Sequence, residues 1–225
     1  MQKFFQMPLK AVLFDMDGVI VDTEPLHRKA YFKMFDDFGM DVSEELYTTF
    51  TGASTKRVCE TLKTQFGLEE SWEDLAAIKR NYFKHYFDTD PDFDLIPGVK
   101  DLIVHYFENG IKLVLASSAH MNTINWVFEK FDLEEYFMAK ISGADLKESK
   151  PHPEIFELAA EMSGESKQNC MVIEDSTNGI KAANAAEIFV AAFASEHSKL
   201  QNYSTADILV YDFEDLRMDK ISKYF

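Results

Sequence analysis

Asp15 and Asp17 stand two residues apart where the apolar run of residues 10–14 stops. In an extended chain, residues at that spacing face the same side, so both carboxylates can point into one crevice. Such a pair suits phosphate transfer. One carboxylate attacks phosphorus to form an aspartyl phosphate, while the other protonates the departing oxygen and later deprotonates the incoming one. An Asp-Met-Asp-Gly turn at a strand end explains the same letters equally well, so the pair alone leaves both readings open. Two carboxylates facing a phosphate dianion need compensation, and the chain offers candidates. Glu174 and Asp175 close the apolar run 170–173 and supply hard oxygen ligands of the kind that hold Mg²⁺. Lys150, on a segment stiffened by Pro151 and Pro153, can bring an ammonium against phosphate and nucleophile together. Ser117, ending the run 112–116, offers a hydroxyl donor; it or Ser118 would also serve as a helix N-cap. Singly, each has an ordinary reading as a solvated turn, a loop lysine or a cap. Jointly they fall after strands or on a stiffened loop, where an α/β sheet gathers its ligands.

The elements that must position these residues follow from periodicity. Apolar runs at 10–14, 111–116, 170–173 and 188–192, with a weaker one at 206–210, read as buried parallel strands. Between them lie helical patterns at 99–108, 122–131, 153–162 and 179–186, so the fold class is α/β, a parallel sheet covered on both faces. From about Thr23 the rhythm changes: Tyr31, Met34, Phe35 and Phe38 recur at helical spacing, as do Val58, Leu62 and Phe66, then Ile78, Tyr82, Phe83 and Tyr86. The acid-rich stretch 88–94 reads as a linker back to the α/β rhythm. A helical unit over 23–94, set into an α/β core of 1–22 and 95–225, is the expected organisation.

Composition bounds the partners. A net charge of -16 repels nucleic-acid phosphates and anionic membranes, so neither is an expected partner, and it also opposes small phosphorylated ligands unless the site supplies its own cation. Two cysteines are too few for a disulfide framework, and Cys170 lies in an apolar run that suits a buried thiol. Residues 1–10 lack the apolar stretch of a signal peptide and no window approaches a membrane span, which makes the cytoplasm the expected location. A monomer is compatible with all of this, though the sequence fixes no oligomeric state.

Four motifs then carry a resemblance that covers nearly the whole chain. Phe14-Asp-Met-Asp-Gly-Val-Ile-Val-Asp-Thr-Glu-Pro25, Ala116-Ser-Ser118, Lys150-Pro-His-Pro-Glu-Ile-Phe156, and Val172-Ile-Glu-Asp-Ser176 with Gly179 and Ala182-Ala183 resemble the haloacid dehalogenase superfamily. Within it, the chain is most similar to the branch of β-phosphoglucomutase and its phosphatase relatives. The resemblance implies a Rossmann-like core with an inserted helical cap that closes during transfer. It implies Asp15 as nucleophile, Asp17 as general acid and base, and Ser117, Ser118 and Lys150 as phosphate holders. It also implies a Mg²⁺ site made by Asp15, the Asp17 carbonyl and Asp175, with Glu174 acting directly or through water. His27 and the stretch carrying Thr51, Gly52 and Ser54 are the implied cap and substrate residues.

The branch holds two activities. The expected one is Mg²⁺-dependent hydrolysis of a small phosphorylated metabolite; the alternative is a hexose-phosphate mutase. Asp17 argues against dehalogenation, which has no alkoxide to protonate. His27 falls where the mutase has a hinge histidine, although a helix-surface histidine reads equally well there. Against the mutase, Thr55 stands where the resemblance places a phosphate-gripping arginine, with Lys56 and Arg57 following. Glu187 replaces a glycine usual in the family and is expected to alter a turn.

Overall fold

A computed structural model describes residues 8–50, 55–195 and 201–225. The chain divides into two compact units, Met1–Asp22 with Asp94–Phe225, and Thr23–Phe93. β1 (Ala11–Phe14) is buried along its whole length, as a strand covered on both faces requires. The helical unit follows, with α1 (Glu24–Asp37), α2 (Glu44–Thr48), α3 (Thr55–Phe66) and α4 (Trp72–Thr89). Ser43 and Ser71 start α2 and α4 by accepting from the Leu46 and Asp74 N–H groups at 3.2 and 3.1 Å, which satisfies donors that a helix start leaves open. Tyr31, Met34 and Phe35 of α1 pack with Val58, Cys59 and Leu62 of α3 and Leu75 and Ala76 of α4.

The α4 stripe differs from the sequence expectation. Leu75, Lys79, Phe83 and Phe87 form the buried row, while Ile78 and Tyr82 are only partly buried. Spacing of four places Lys79 on the core face. A reading that counts apolar residues skips it.

The α/β unit resumes with α5 (Val99–Glu108), β2 (Lys112–Ser117), α6 (Met121–Lys130), β3 (Ala139–Ser142), α7 (Glu154–Ser163), β4 (Cys170–Glu174), α8 (Thr177–Ala185), β5 (Phe189–Phe193) and β6 (Ile208–Val210). All pairings are parallel and the strand order is β3-β2-β1-β4-β5-β6, with β1 near the middle. One face of the sheet, including Leu13, Val114, Ala116 and Val172, packs with Phe156 and Ala159 of α7 and Ile180 and Ala183 of α8. On the other side Phe14 meets Tyr106 of α5 and Phe137 edge-on, at 6.4 and 5.6 Å between ring centres.

β3 was not among the expected strands. It is a short edge strand, Ala-Lys-Ile-Ser, with two of its four residues only half-buried, so it lacks the apolar run that marks the others. Neither Ser117 nor Ser118 caps α6; the N-cap is His120, and Ser117 Oγ instead accepts from the Ala119 N–H at 3.1 Å. Where the α/β unit gives way to the helical one, the two passages of chain are tied within the α/β unit: Val21 bridges Leu95, and the Ile96 N–H donates to the Ile20 carbonyl at 2.9 Å.

Candidate active site

Register places the charged residues side by side. Phe14 lies opposite Leu115 on β2 and Ile173 on β4, so one step further along, Asp15 is level with Ala116 and Glu174. The Asp15 N–H continues the ladder to the Ile173 carbonyl at 3.0 Å. Lys150 reaches all three positions from the loop before α7. Its ammonium donates to Asp15 Oδ1 at 2.5 Å, to Glu174 Oε1 at 2.8 Å and to the Ala116 carbonyl at 3.0 Å. An ammonium has three protons, and they find acceptors on β2, on β4 and just beyond the end of β1.

The group is nearly dry: side-chain exposure is 6% for Lys150, 9% for Asp15 and 1% for Glu174. Burial holds the Asp15 carboxyl well above the ordinary carboxylate range; Lys150 pulls it down, and the Glu174 and Asp175 charges push it further up. For Lys150, burial alone would favour the neutral amine, but Asp15 and Glu174 outweigh it and hold the ammonium above its ordinary range. Two carboxylates thus share one ammonium, and the charge of a third, Asp175, acts on Asp15.

Asp175 lies against Gly18. A Cβ placed on that glycine would fall 2.1 Å from Asp175 Oδ2, and its φ of +84° is one that only glycine adopts without strain. The half-buried Asp17 is held in the same turn, where the Gly18 N–H donates to the Val21 carbonyl at 2.8 Å. Ser117 ends β2 and is buried, and Ser118 beyond it is exposed. The site therefore brings together Asp15, Lys150 and Glu174 by direct contact, and Asp175 by charge and by its seat on Gly18.

These oxygens fit a divalent cation of the hard class. The negative charge exceeds the positive in a buried place, and the donors are carboxylate and carbonyl oxygens. Among the described residues no three His, Cys, Asp or Glu side chains form a ready cage. Mg²⁺ does not ask for one, because it keeps water and phosphate oxygens in its shell and takes few carboxylates.

His27 belongs to the helical unit, where it is half-buried on α1. Its ring stacks on Phe83 at 4.4 Å between centres, and its Nδ1 lies 2.5 Å from the Lys79 ammonium nitrogen. Burial, then the Lys79 charge, lowers its pKa to about 3. Lys79 itself is 2% exposed, sits over the Tyr31 and Phe83 rings, and is lowered to about 8, by burial first. Thr51, Gly52 and Ser54 lie outside the described residues. Sequence reasoning gave no role to the Ala116 carbonyl or to Ser176, although both lie in the quoted motifs, and it missed Lys79. The signal for Lys79 was its spacing of four from Leu75 and Phe83.

The sequence matches the haloacid dehalogenase-like hydrolase family over residues 12–193. The chain belongs to that family. It is 31% identical over 184 residues, 80% of this chain and 82% of the other, to a phosphorylated carbohydrates phosphatase of Thermotoga maritima. It is 28% identical over 217 residues, 94% of this chain and 93% of the other, to β-phosphoglucomutase of Bacillus subtilis. Its fold matches the crystal structure of β-phosphoglucomutase from Clostridium difficile with a TM-score of 0.77 and 29% identity, covering 96% of both chains. The α/β fold is that of these haloacid dehalogenase-like enzymes, and the chain is an enzyme of the phosphatase type. No helix among the described residues is long and apolar enough to cross a membrane.

Proposed function

We propose that this enzyme is a Mg²⁺-dependent phosphatase that hydrolyses a small phosphorylated metabolite of the sugar-phosphate class through an aspartyl phosphate on Asp15. The observation that carries the reading is the Lys150 ammonium shared by Asp15, Ala116 and Glu174 at one level of the sheet. Asp15 attacks phosphorus, the Asp15 O–P bond forms as the ester O–P bond breaks, and Asp17 delivers its proton to the departing oxygen. Asp17 then takes a proton from the attacking water, which releases phosphate and restores Asp15. Lys150 and the Ser117 and Ser118 groups hold the phosphoryl oxygens during both steps. Asp15, Asp175 and the Asp17 carbonyl would hold Mg²⁺, which supplies positive charge for those oxygens when bound.

Hydrolysis is favoured over mutase action by the neighbourhood of Thr55. A mutase grips a second phosphate; of the two residues able to replace the missing arginine, Lys56 and Arg57, Lys56 is paired with Glu60 at 3.9 Å and lies over the Trp72 ring at 5.0 Å. The mutase stays the second reading because a relative of that activity covers nearly the whole chain. An acidic protein with two free, buried cysteines also suits the cytoplasmic location carried in this proposal.

Turnover of p-nitrophenyl phosphate with and without a chelator tests the metal. Asp15→Asn is expected to lower that turnover by at least roughly a thousandfold while unfolding remains cooperative. Activity near that of the parent in Asp15→Asn would sink the nucleophile assignment. Supplying β-glucose 1-phosphate with a trace of the bisphosphate separates the two activities: free glucose supports the hydrolase, and glucose 6-phosphate supports the mutase.

A further inference from the structure

Glu174 is 1% exposed, and both of its carboxylate oxygens are taken. Oε1 accepts from Lys150 at 2.8 Å, while Oε2 accepts from the Ser176 N–H at 2.7 Å and the Ser176 hydroxyl at 2.9 Å. Ser176 Oγ in turn accepts from the Gly179 N–H at 3.0 Å, which caps α8. Gly179 lies in the first turn of that helix, where glycine is a poor helix former. Its φ is not in the left-handed region, so backbone freedom does not explain it. Space does. A Cβ on Gly179 would fall 1.6 Å from Glu174 Oε1, so the carboxylate occupies the volume that any side chain would fill.

We propose that Ser176 and Gly179 are positioning residues of the active site: they lock the Glu174 carboxylate against Lys150, and Glu174 anchors that lysine instead of ligating the divalent cation. This rests on the phosphatase reading above and assigns the parts within it. A lysine stem is long and flexible, so its ammonium is placed by what it donates to. Two of its three acceptors, the Ala116 carbonyl and Glu174, fix it independently of Asp15. Without Glu174 in place, the ammonium keeps one fixed anchor beside the nucleophile. Holding of the phosphate weakens, whereas Asp15 and Asp175 still meet the metal.

The test is calorimetric titration of the folded full-length protein with Mg²⁺ alone, then with orthophosphate at saturating Mg²⁺. Gly179→Ala, Ser176→Ala and Glu174→Gln are compared with the parent. Gly179→Ala and Ser176→Ala keep the Glu174 charge and are expected to bind Mg²⁺ within about twofold of the parent, since neither touches Asp15 or Asp175. Glu174→Gln also removes a negative charge beside the cation site and is read for orthophosphate only. Gly179→Ala and Glu174→Gln should bind orthophosphate roughly tenfold or more weakly, and Ser176→Ala less so because its backbone donor remains. A tenfold loss of Mg²⁺ affinity in Gly179→Ala or Ser176→Ala overturns the proposal, as does unchanged orthophosphate binding in Gly179→Ala. If Gly179→Ala does not fold, Ser176→Ala carries the Mg²⁺ arm and Glu174→Gln, being nearly isosteric, carries the orthophosphate arm, where unchanged binding overturns the proposal. The titrations need no turnover: a parent protein that binds both probes and hydrolyses no ester defeats the phosphatase reading and still answers this one.

Discussion

Each unit of the molecule buries a lysine, and the two are treated in opposite ways. Lys150 in the α/β unit meets two carboxylates and a carbonyl, and its ammonium is held above the ordinary range against the pull of burial. Lys79 in the helical unit meets an imidazole and two aromatic faces, and burial brings it down to about 8. Burial is the first influence on both, so the partners decide the outcome. The α/β unit surrounds its cation with more negative charge than it needs, which is the condition for taking a further cation. The helical unit leaves its cation undercompensated, and that charge weighs on its stability.

Truncating each lysine turns this contrast into a difference of sign. Lys150→Met leaves Asp15 and Glu174 buried without their partner, and breaking such a pair costs about 3 kcal/mol or more. Urea unfolding at pH 7 should show that loss, together with a large drop in p-nitrophenyl phosphate turnover. Unchanged stability would mean that the two carboxylates are already relieved in some other way.

Lys79→Met should do the opposite and stabilise the protein at pH 7 by about 2 kcal/mol, since the apolar chain fits the aromatic surroundings without a buried charge. The pH dependence follows from its depressed pKa. Between about 8 in the folded protein and 10.5 in the unfolded chain, unfolding takes up a proton, so parent stability rises with pH across that window. The burial penalty is present in full below pH 8, and the advantage of Lys79→Met should shrink towards zero by pH 10.5. A gain that is flat across this range would show that packing, not charge, sets it. In Lys79→Met the His27 pKa should also climb from about 3, part of its depression being due to the Lys79 charge.

The two lysines also differ in how plainly the sequence announced them. Lys150 stands directly before Pro151 and Pro153 in a motif, and Asp15, Ser117, Glu174 and Asp175 each stand where an apolar run ends, so strand periodicity located them. Lys79 sits mid-helix, where a lysine ordinarily faces water, and the apolar letters Ile78 and Tyr82 beside it draw the stripe one residue aside. The closing contacts were hidden for a different reason. The Ala116 carbonyl carries no side-chain signature, and the space beside Gly179 shows only when Glu174 is seen to fill it. β3 was hidden because an edge strand needs little apolar content.

A last and smaller change calibrates the comparison in the α/β unit without touching charge pairs. Glu187 follows α8 with φ at +60°, a left-handed conformation that costs a side-chain residue about 1 kcal/mol, which accounts for the glycine that the family resemblance places there. Its N–H donates to the Asn184 carbonyl at 3.0 Å, and the next N–H, of Ile188, donates to the Ala183 carbonyl at 3.1 Å, the closing pattern of a helix end. The side chain is exposed and its backbone bonds survive substitution. Glu187→Gly should therefore raise stability by about 0.5 kcal/mol, the relief of strain being partly offset by the extra freedom of glycine in the unfolded chain. Because no buried titrating group is involved, that gain should be the same at pH 7 and pH 10, where the Lys79→Met gain is not. A gain from Glu187→Gly that varied with pH over that range would show that the contrast between the lysines is not theirs alone.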